Sequence, residues 1–404
     1  MSTLTHAAGG GAAAPTTSPA TSPATSPEEF RGHFPALVRT VHLASCSLGA
    51  RSTAVDAALA RMLDAMAAYG APWSQFEEEV ETARRGFASL IGARPEQVAV
   101  LPNASIGAYQ AVSTLDLGRR NRLVTTAEEF PSVAHVWLAQ RARGAEVAYA
   151  PGGPVTVDAD GYRAVLDERV ALVSVPLVSY RSGVRLPVAD VAAAAHKAGA
   201  RVFVDAYQAA GVLPVDVTEL DCDYLVAGSM KYLLGLPGVA FLYARSAPAG
   251  DHDPVLTGWF GRVDPFAFDP TRLDFPTAAR RFETGTTAVP AVYAANAGLR
   301  LINGLDGAAV AAHVTGLVAL AADRLTAQGE RLRLAPSPAD QGAHFGLLDR
   351  DPPAVADWLA GRGIVVSPRG PIVRIAFHYY NNASDVAALC AALEEFRSIP
   401  EQAR

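Results

Sequence analysis

Cysteine is scarce in this chain: its 404 residues include three, Cys46, Cys222 and Cys390. Spaced so widely they make neither a disulfide framework nor a C-x-x-C metal motif, and buried thiols of a reducing compartment are expected. Long apolar runs are missing too. No stretch approaches the ~20 residues that cross a bilayer, and the N-terminus lacks the charged-then-apolar order of a secretory signal. A cytoplasmic protein with no membrane partner is therefore expected. Charged residues are sparse at 18%, sum to a net −6 and form no basic run, which argues against nucleic acid as a partner.

What is present is apolar mass. Half of the residues are hydrophobic, enough to bury a core for two or three domains. From Ala7 to Pro27 the composition shifts to Ala, Gly, Ser, Thr and Pro, with the repeat TSPATSPATSP. Such a segment buries too little surface to offset its ordering entropy. The expected organisation is a disordered tail over 1–28, an arm over 29–50, a large domain over 51–288 and a smaller one over 289–404. Helical periodicity marks Thr53 to Ala68, Trp73 to Leu90, Tyr293 to Leu305 and Gly307 to Gln328. Short β-branched runs mark strands at Gln97–Leu101, Arg122–Thr126, Glu146–Ala150, Val170–Pro176, Arg201–Val204, Asp223–Ala227 and Gly238–Tyr243. Three more fall at Gly346–Leu348, Ile364–Ser367 and Ile372–Phe377.

The richest stretch is VFVDAYQAAGVLPVDVTELDCDYLVAGSMKYLLGLPGVAFLY, Val202 to Tyr243. Asp205 ends one apolar strand, and Lys231 falls in the loop just beyond the next. Both then project to the edge where open α/β sheets bind ligands. Pyridoxal phosphate asks for that pair: a carboxylate to hold the charge of its protonated ring nitrogen, and an amine to form a Schiff base with its aldehyde. Either residue alone reads as a helix cap or a solvated charge. Upstream, Pro102-Asn103-Ala104-Ser105 opens a helix whose free amides and dipole favour a dianion.

The pattern V-D-A-x-Q-x-x-G followed by a G-S-x-K loop resembles the class V aminotransferases, a family of pyridoxal-phosphate enzymes that includes cysteine desulfurases and kynureninases. Matches run from about Val41 to Leu393. The resemblance implies an α/β fold of the aspartate aminotransferase type: a large domain with a mainly parallel sheet between helices, plus a smaller α+β C-terminal domain. It makes Lys231 the Schiff-base lysine and Asp205 the partner of the ring nitrogen. Gln208 takes the phenolic oxygen and Phe130 of Glu128-Glu129-Phe130-Pro131-Ser132 the ring face. The phosphate falls to the Ala104 amide and the Ser105 hydroxyl, with Ser229 beside the lysine. Thr286, in Phe282-Glu283-Thr284-Gly285-Thr286-Thr287, is implied to reach the cofactor phosphate of the second subunit in a homodimer. For a small amino-acid substrate, Arg374 corresponds to the arginine that grips the α-carboxylate, with Tyr180 and Trp259 as further contacts. Arg262 and Arg281 read as solvated or salt-bridged charges. No metal is implied.

Departures from each subgroup narrow the chemistry. The loop 363–371 has no cysteine where desulfurases carry their nucleophile, so persulfide formation is not expected. FPSV at Phe130–Val133 and GWFG at Gly258–Gly261 resemble kynureninases, but Met230 and Val133 replace a tyrosine and an aspartate of that group. The expectation is a lyase or hydrolase that cleaves a C–C or C–S bond in the substrate's side group. The alternative is an aminotransferase, epimerase or decarboxylating deaminase. A non-catalytic binding protein would lack the lysine or the aspartate.

Overall fold

A computed structural model describes residues 25–153, 155–246 and 250–400. The central sheet has seven strands: β1 (Val98–Leu101), β2 (Arg122–Thr125), β3 (Glu146–Tyr149), β4 (Val170–Pro176), β5 (Arg201–Asp205), β6 (Tyr224–Gly228) and β7 (Ala240–Ala244). Their order is β1-β7-β6-β5-β4-β2-β3. Only β7 runs against its neighbours, so the other six present their carboxyl ends to one edge. β4, β6 and β7 are buried along their whole length and β5 from its second residue. Helices on both faces require that, and the unbroken VALVSVP and RVFVD runs satisfy it.

A second, antiparallel sheet lies in the C-terminal third: β8 (Leu332–Arg333), β9 (His344–Leu348), β10 (Ser367–Arg369) and β11 (Ile372–Ala376), in the order β10-β11-β9-β8. The expected strand Ile364–Ser367 splits in two. Ile364–Val365 pairs in parallel with Val41–His42, and Ser367 begins β10 against β11. This ties the N-terminal arm to the C-terminal sheet.

Residues 1–24 of the expected tail lie outside the described residues. Residues 25–28 of that stretch are described. Ser26 caps the short helix Pro27–Arg31 in a reciprocal capping box with Glu29. The helix is held because Phe30 is buried against the rings of Phe34, His378, Tyr379 and Tyr380. Arg31 adds a two-pronged pair with Asp385.

The two early helices, Thr53–Tyr69 and Trp73–Leu90, pack along Val289–Asn303. Gly307–Ala327 is 21 residues long and apolar enough, by length and composition, to cross a membrane, contrary to the expectation that no stretch approaches that length. Its Val310, Val314, Leu317, Val318, Ala321 and Leu325 join the main core, and it packs on Ala383–Ser398. An alanine-rich core helix reaches the same threshold as a membrane span. The three cysteines are free and buried.

Candidate active site

Asp205 is the last residue of β5, and its carbonyl accepts the Leu177 amide that leaves β4. Its Oδ1 accepts the Tyr207 amide at 2.8 Å, and no other hydrogen bond reaches this carboxylate among the described residues. The carboxylate is buried. Desolvation raises its pKa, opposed by the Tyr207 amide and by the charge of Lys231.

Lys231 follows β6 in a loop pinned from inside. The Ser229 hydroxyl faces the carbonyls of Leu236 and Val239 at 2.7 and 3.2 Å, and the Gly235 amide donates to the Ser229 carbonyl. Leu234 sits at a φ of 60°, a strained conformation for a bulky residue, of the kind that clusters at functional sites. The arm presses on the other side, with the Gly49 amide donating to the Met230 carbonyl. A Cβ on Gly49 would meet the Lys231 carbonyl at 2.3 Å, so only glycine fits there. Lys231 is buried, and its pKa is pushed down to about 8, first by burial; Asp205 raises it while Arg374 lowers it further.

The Lys231 Nζ lies 5.3 Å from the centre of the Phe130 ring and 4.7 Å from that of Tyr207. Phe130 meets Tyr180 edge-on, 5.1 Å between centres. Glu128, Gln208 and Asp205 line the same cleft. Gln208 donates from Nε2 to the Cys46 carbonyl at 3.1 Å, and its buried Oε1 has no partner among the described residues.

Arg374 reaches in from β11. It donates to the Tyr180 carbonyl at 3.2 Å and to the Ser367 hydroxyl at 2.8 Å, and its buried Nε is unpartnered. No carboxylate pairs with it among the described residues. A buried guanidinium without an acid is costly unless a ligand supplies one.

Other expected residues are not among those that line this cleft. Asn103 caps the helix Ala104–Ser113, accepting the Ile106 amide at 3.0 Å, and leaves the first amides of the helix without carbonyls to meet. The Ser105 hydroxyl donates to the Ser132 carbonyl at 3.0 Å. The Ser229 hydroxyl is engaged within its own loop, so it fastens the lysine loop rather than facing the cleft. Trp259 belongs to a half-exposed cluster with Phe260, Phe266 and Phe268. Thr286 is exposed and lines a separate groove with Trp73, Phe76 and Phe266. Arg262 pairs with Asp274 at 3.3 Å and Arg281 with Asp253.

Sequence reasoning missed Tyr207 and underrated the two glutamates beside Phe130. Glu129 accepts from the Ser174 hydroxyl and the Phe130 amide, and burial together with the Asp205 charge pushes its pKa up to about 8. Glu128 accepts from the Ser179 hydroxyl at 2.5 Å. Two adjacent carboxylates before an aromatic residue were the available signal.

The residues present fit pyridoxal phosphate: an amine and a carboxylate at one sheet edge, an aromatic face beside the amine, an unpartnered Gln208 oxygen and the amides at the start of the helix Ala104–Ser113. The profile of the family "Aminotransferase class-V" matches residues 65–389. An uncharacterized aminotransferase of Bacillus subtilis, YcbU, is 35% identical over 359 residues, covering 89% of this chain and 95% of that one. A kynureninase of Deinococcus radiodurans is 32% identical over 223 residues, covering 54% of this chain and only 52% of the kynureninase. Among solved structures, the apo cysteine desulfurase of Thermococcus onnurineus superposes with a TM-score of 0.81 at 22% identity, covering 92% of this chain and 98% of the desulfurase. The chain belongs to the class V aminotransferase family and is a pyridoxal 5'-phosphate enzyme.

Proposed function

We propose that the enzyme cleaves a C–C or C–S bond in the side group of a small α-amino acid, in the manner of a kynureninase-like lyase or hydrolase. The observation that carries this reading is the acid-free Arg374 beside a lysine cleft walled by Phe130 and Tyr180. A guanidinium fork suits the α-carboxylate and stays charged at any working pH, while the aromatic edge suits a flat or apolar side group.

When bound, pyridoxal phosphate supplies an aldehyde for the substrate amine and a ring that accepts the electron pair of a bond broken near Cα. Lys231, its proton affinity lowered by burial, takes and returns the proton at Cα. Asp205 would hold the proton on the ring nitrogen, and Gln208 would pair with the phenolic oxygen. Phe130 covers the ring face and keeps water out. The Ala104 amide and the Ser105 hydroxyl hold the phosphate, the latter by turning from the Ser132 carbonyl. Tyr180 contacts the substrate, and Ser229 keeps the Lys231 loop in place.

Two more assignments belong to this reading. The enzyme is a cytoplasmic homodimer in which the exposed Thr286 reaches the phosphate of the second subunit, supported by its exposure in a groove separate from the lysine cleft. It forms no catalytic persulfide, a reading supported by a loop 363–371 without a thiol and by the burial of all three cysteines.

An amino-acid panel tests the reaction. Ammonia or a cleaved side-group product with the cofactor unchanged supports cleavage. Accumulating pyridoxamine phosphate and a keto acid would instead mark transamination, the activity named for the Bacillus subtilis relative.

A further inference from the structure

Strand β9 carries a histidine that none of these roles uses. His344 is fully buried, and neither ring nitrogen completes a hydrogen bond among the described residues. Across the antiparallel ladder His344 faces Ala376, and Gly346 faces Arg374. Residues two apart on a strand share a face, and diagonal neighbours lie within reach of long side chains. The imidazole and the guanidinium therefore stand on one face of the small sheet, and Gly346 puts no side chain between them.

The ring lies within electrostatic reach of the charged groups of the cleft. After burial, the charges of Arg374 and then Lys231 act on it most strongly, and the backbone carbonyls of Tyr180 and Ser179 lie within hydrogen-bonding reach of it, although neither bond attains full geometry. Gly183, at a φ of 72°, brings the loop that follows Tyr180 hard against the His344 carbonyl; a Cβ there would meet that oxygen. A neutral imidazole offers one donor and one acceptor. With Arg374 Nε also unpartnered, two unused donor groups share one buried face. Buried polar groups rarely stay unpaired, and an anionic oxygen pair would satisfy both.

We propose that His344 is a substrate-recognition residue that donates, beside Arg374, to the carboxylate of the incoming amino acid. The proposal rests on the reading of Arg374 as the carboxylate site. Selectivity for carboxylate-bearing amines then comes from two groups, one charged and one neutral.

Two aminooxy probes test this, because both react with the cofactor aldehyde and only aminooxyacetate carries a carboxylate; methoxyamine does not. The holoenzyme and its His344→Met, His344→Phe, His344→Gln and Arg374→Lys variants are mixed with each probe, and the change in the visible band is timed. The wild type is expected to favour aminooxyacetate. His344→Met or His344→Phe should lose about tenfold of that preference, the worth of one hydrogen bond to a charged group, with methoxyamine unaffected. His344→Gln, which keeps a donor, should retain most of it, and either donorless variant suffices if the other does not fold. Full preference in the donorless variants with loss in Arg374→Lys would overturn the proposal and leave the Arg374 reading standing. Equal loss in His344→Gln would assign His344 to packing and overturn it as well. A wild type without preference would remove the Arg374 reading, and this proposal with it.

Discussion

The guanidinium of Arg374 donates to the backbone carbonyl of Tyr180 at 3.2 Å, and the ring of the same tyrosine stands edge-on to Phe130. One residue of the large sheet's loop thus links the carboxylate site on β11 to the aromatic wall over Lys231. Arg374→Lys keeps the charge and loses the fork. kcat/KM is expected to fall about ten- to a hundred-fold, the cost of one charge-assisted hydrogen bond, with the yellow colour of the bound cofactor retained. Steady-state kinetics with an unchanged kcat/KM would assign Arg374 to structure alone.

Cofactor uptake should depend on pH through Lys231. Its pKa is lowered to about 8 by burial, partly offset by Asp205, and only the neutral amine attacks an aldehyde. In cofactor-free protein the rate of uptake, followed by absorbance, is expected to rise with pH and to level off above about 8. A flat profile from about pH 6 to about pH 9, a span that brackets the neutral range, would contradict a buried amine.

Most of the α/β frame was legible because its signals are local. The runs RVFVD and VALVSVP are too apolar for anything but central parallel strands, and the lysine loop follows one of them. The departures have physical causes. The Ser229 hydroxyl, two residues before Lys231, meets the Leu236 and Val239 carbonyls, a loop contact that sequence spacing does not reveal. Ile364–Ser367 reads as one strand, yet its halves serve different partners, which no local pattern encodes. His344 escaped notice because a lone histidine in an apolar strand carries no motif; only the ladder register brings it beside Arg374.

Thr286 offers a test of assembly. It is exposed in the single protomer, and its proposed contact needs a second copy. Light scattering should give twice the 42.2 kDa protomer mass, and Thr286→Val should release cofactor faster on dialysis without changing that mass. A fully active monomer would contradict the assignment.

Acid should weaken the arm. His378 stacks 4.7 Å from Tyr380 and 5.9 Å from Phe30, and its Nδ1 accepts the Tyr379 amide while Nε2 donates to the Tyr232 carbonyl. The buried ring is held neutral, its pKa lowered to about 4 chiefly by desolvation. The unfolded protein takes up this proton near pH 6.5 and the folded protein only near 4, so stability falls as pH drops across that window. The loss is up to roughly 3 kcal/mol. Denaturant midpoints should fall less steeply with pH in His378→Gln than in the wild type; equal slopes would show that this ring is not the source.

The central claim is that Lys231 carries the cofactor, and the composition makes its test unusually clean. The sequence has two lysines, Lys231 and the exposed Lys197 that precedes β5. Borohydride reduction of the holoenzyme followed by peptide mapping should place the cofactor mass on the peptide containing Lys231 in stoichiometric amount, and Lys231→Ala should abolish the label. A label on the Lys197 peptide, or none on either, would contradict the account.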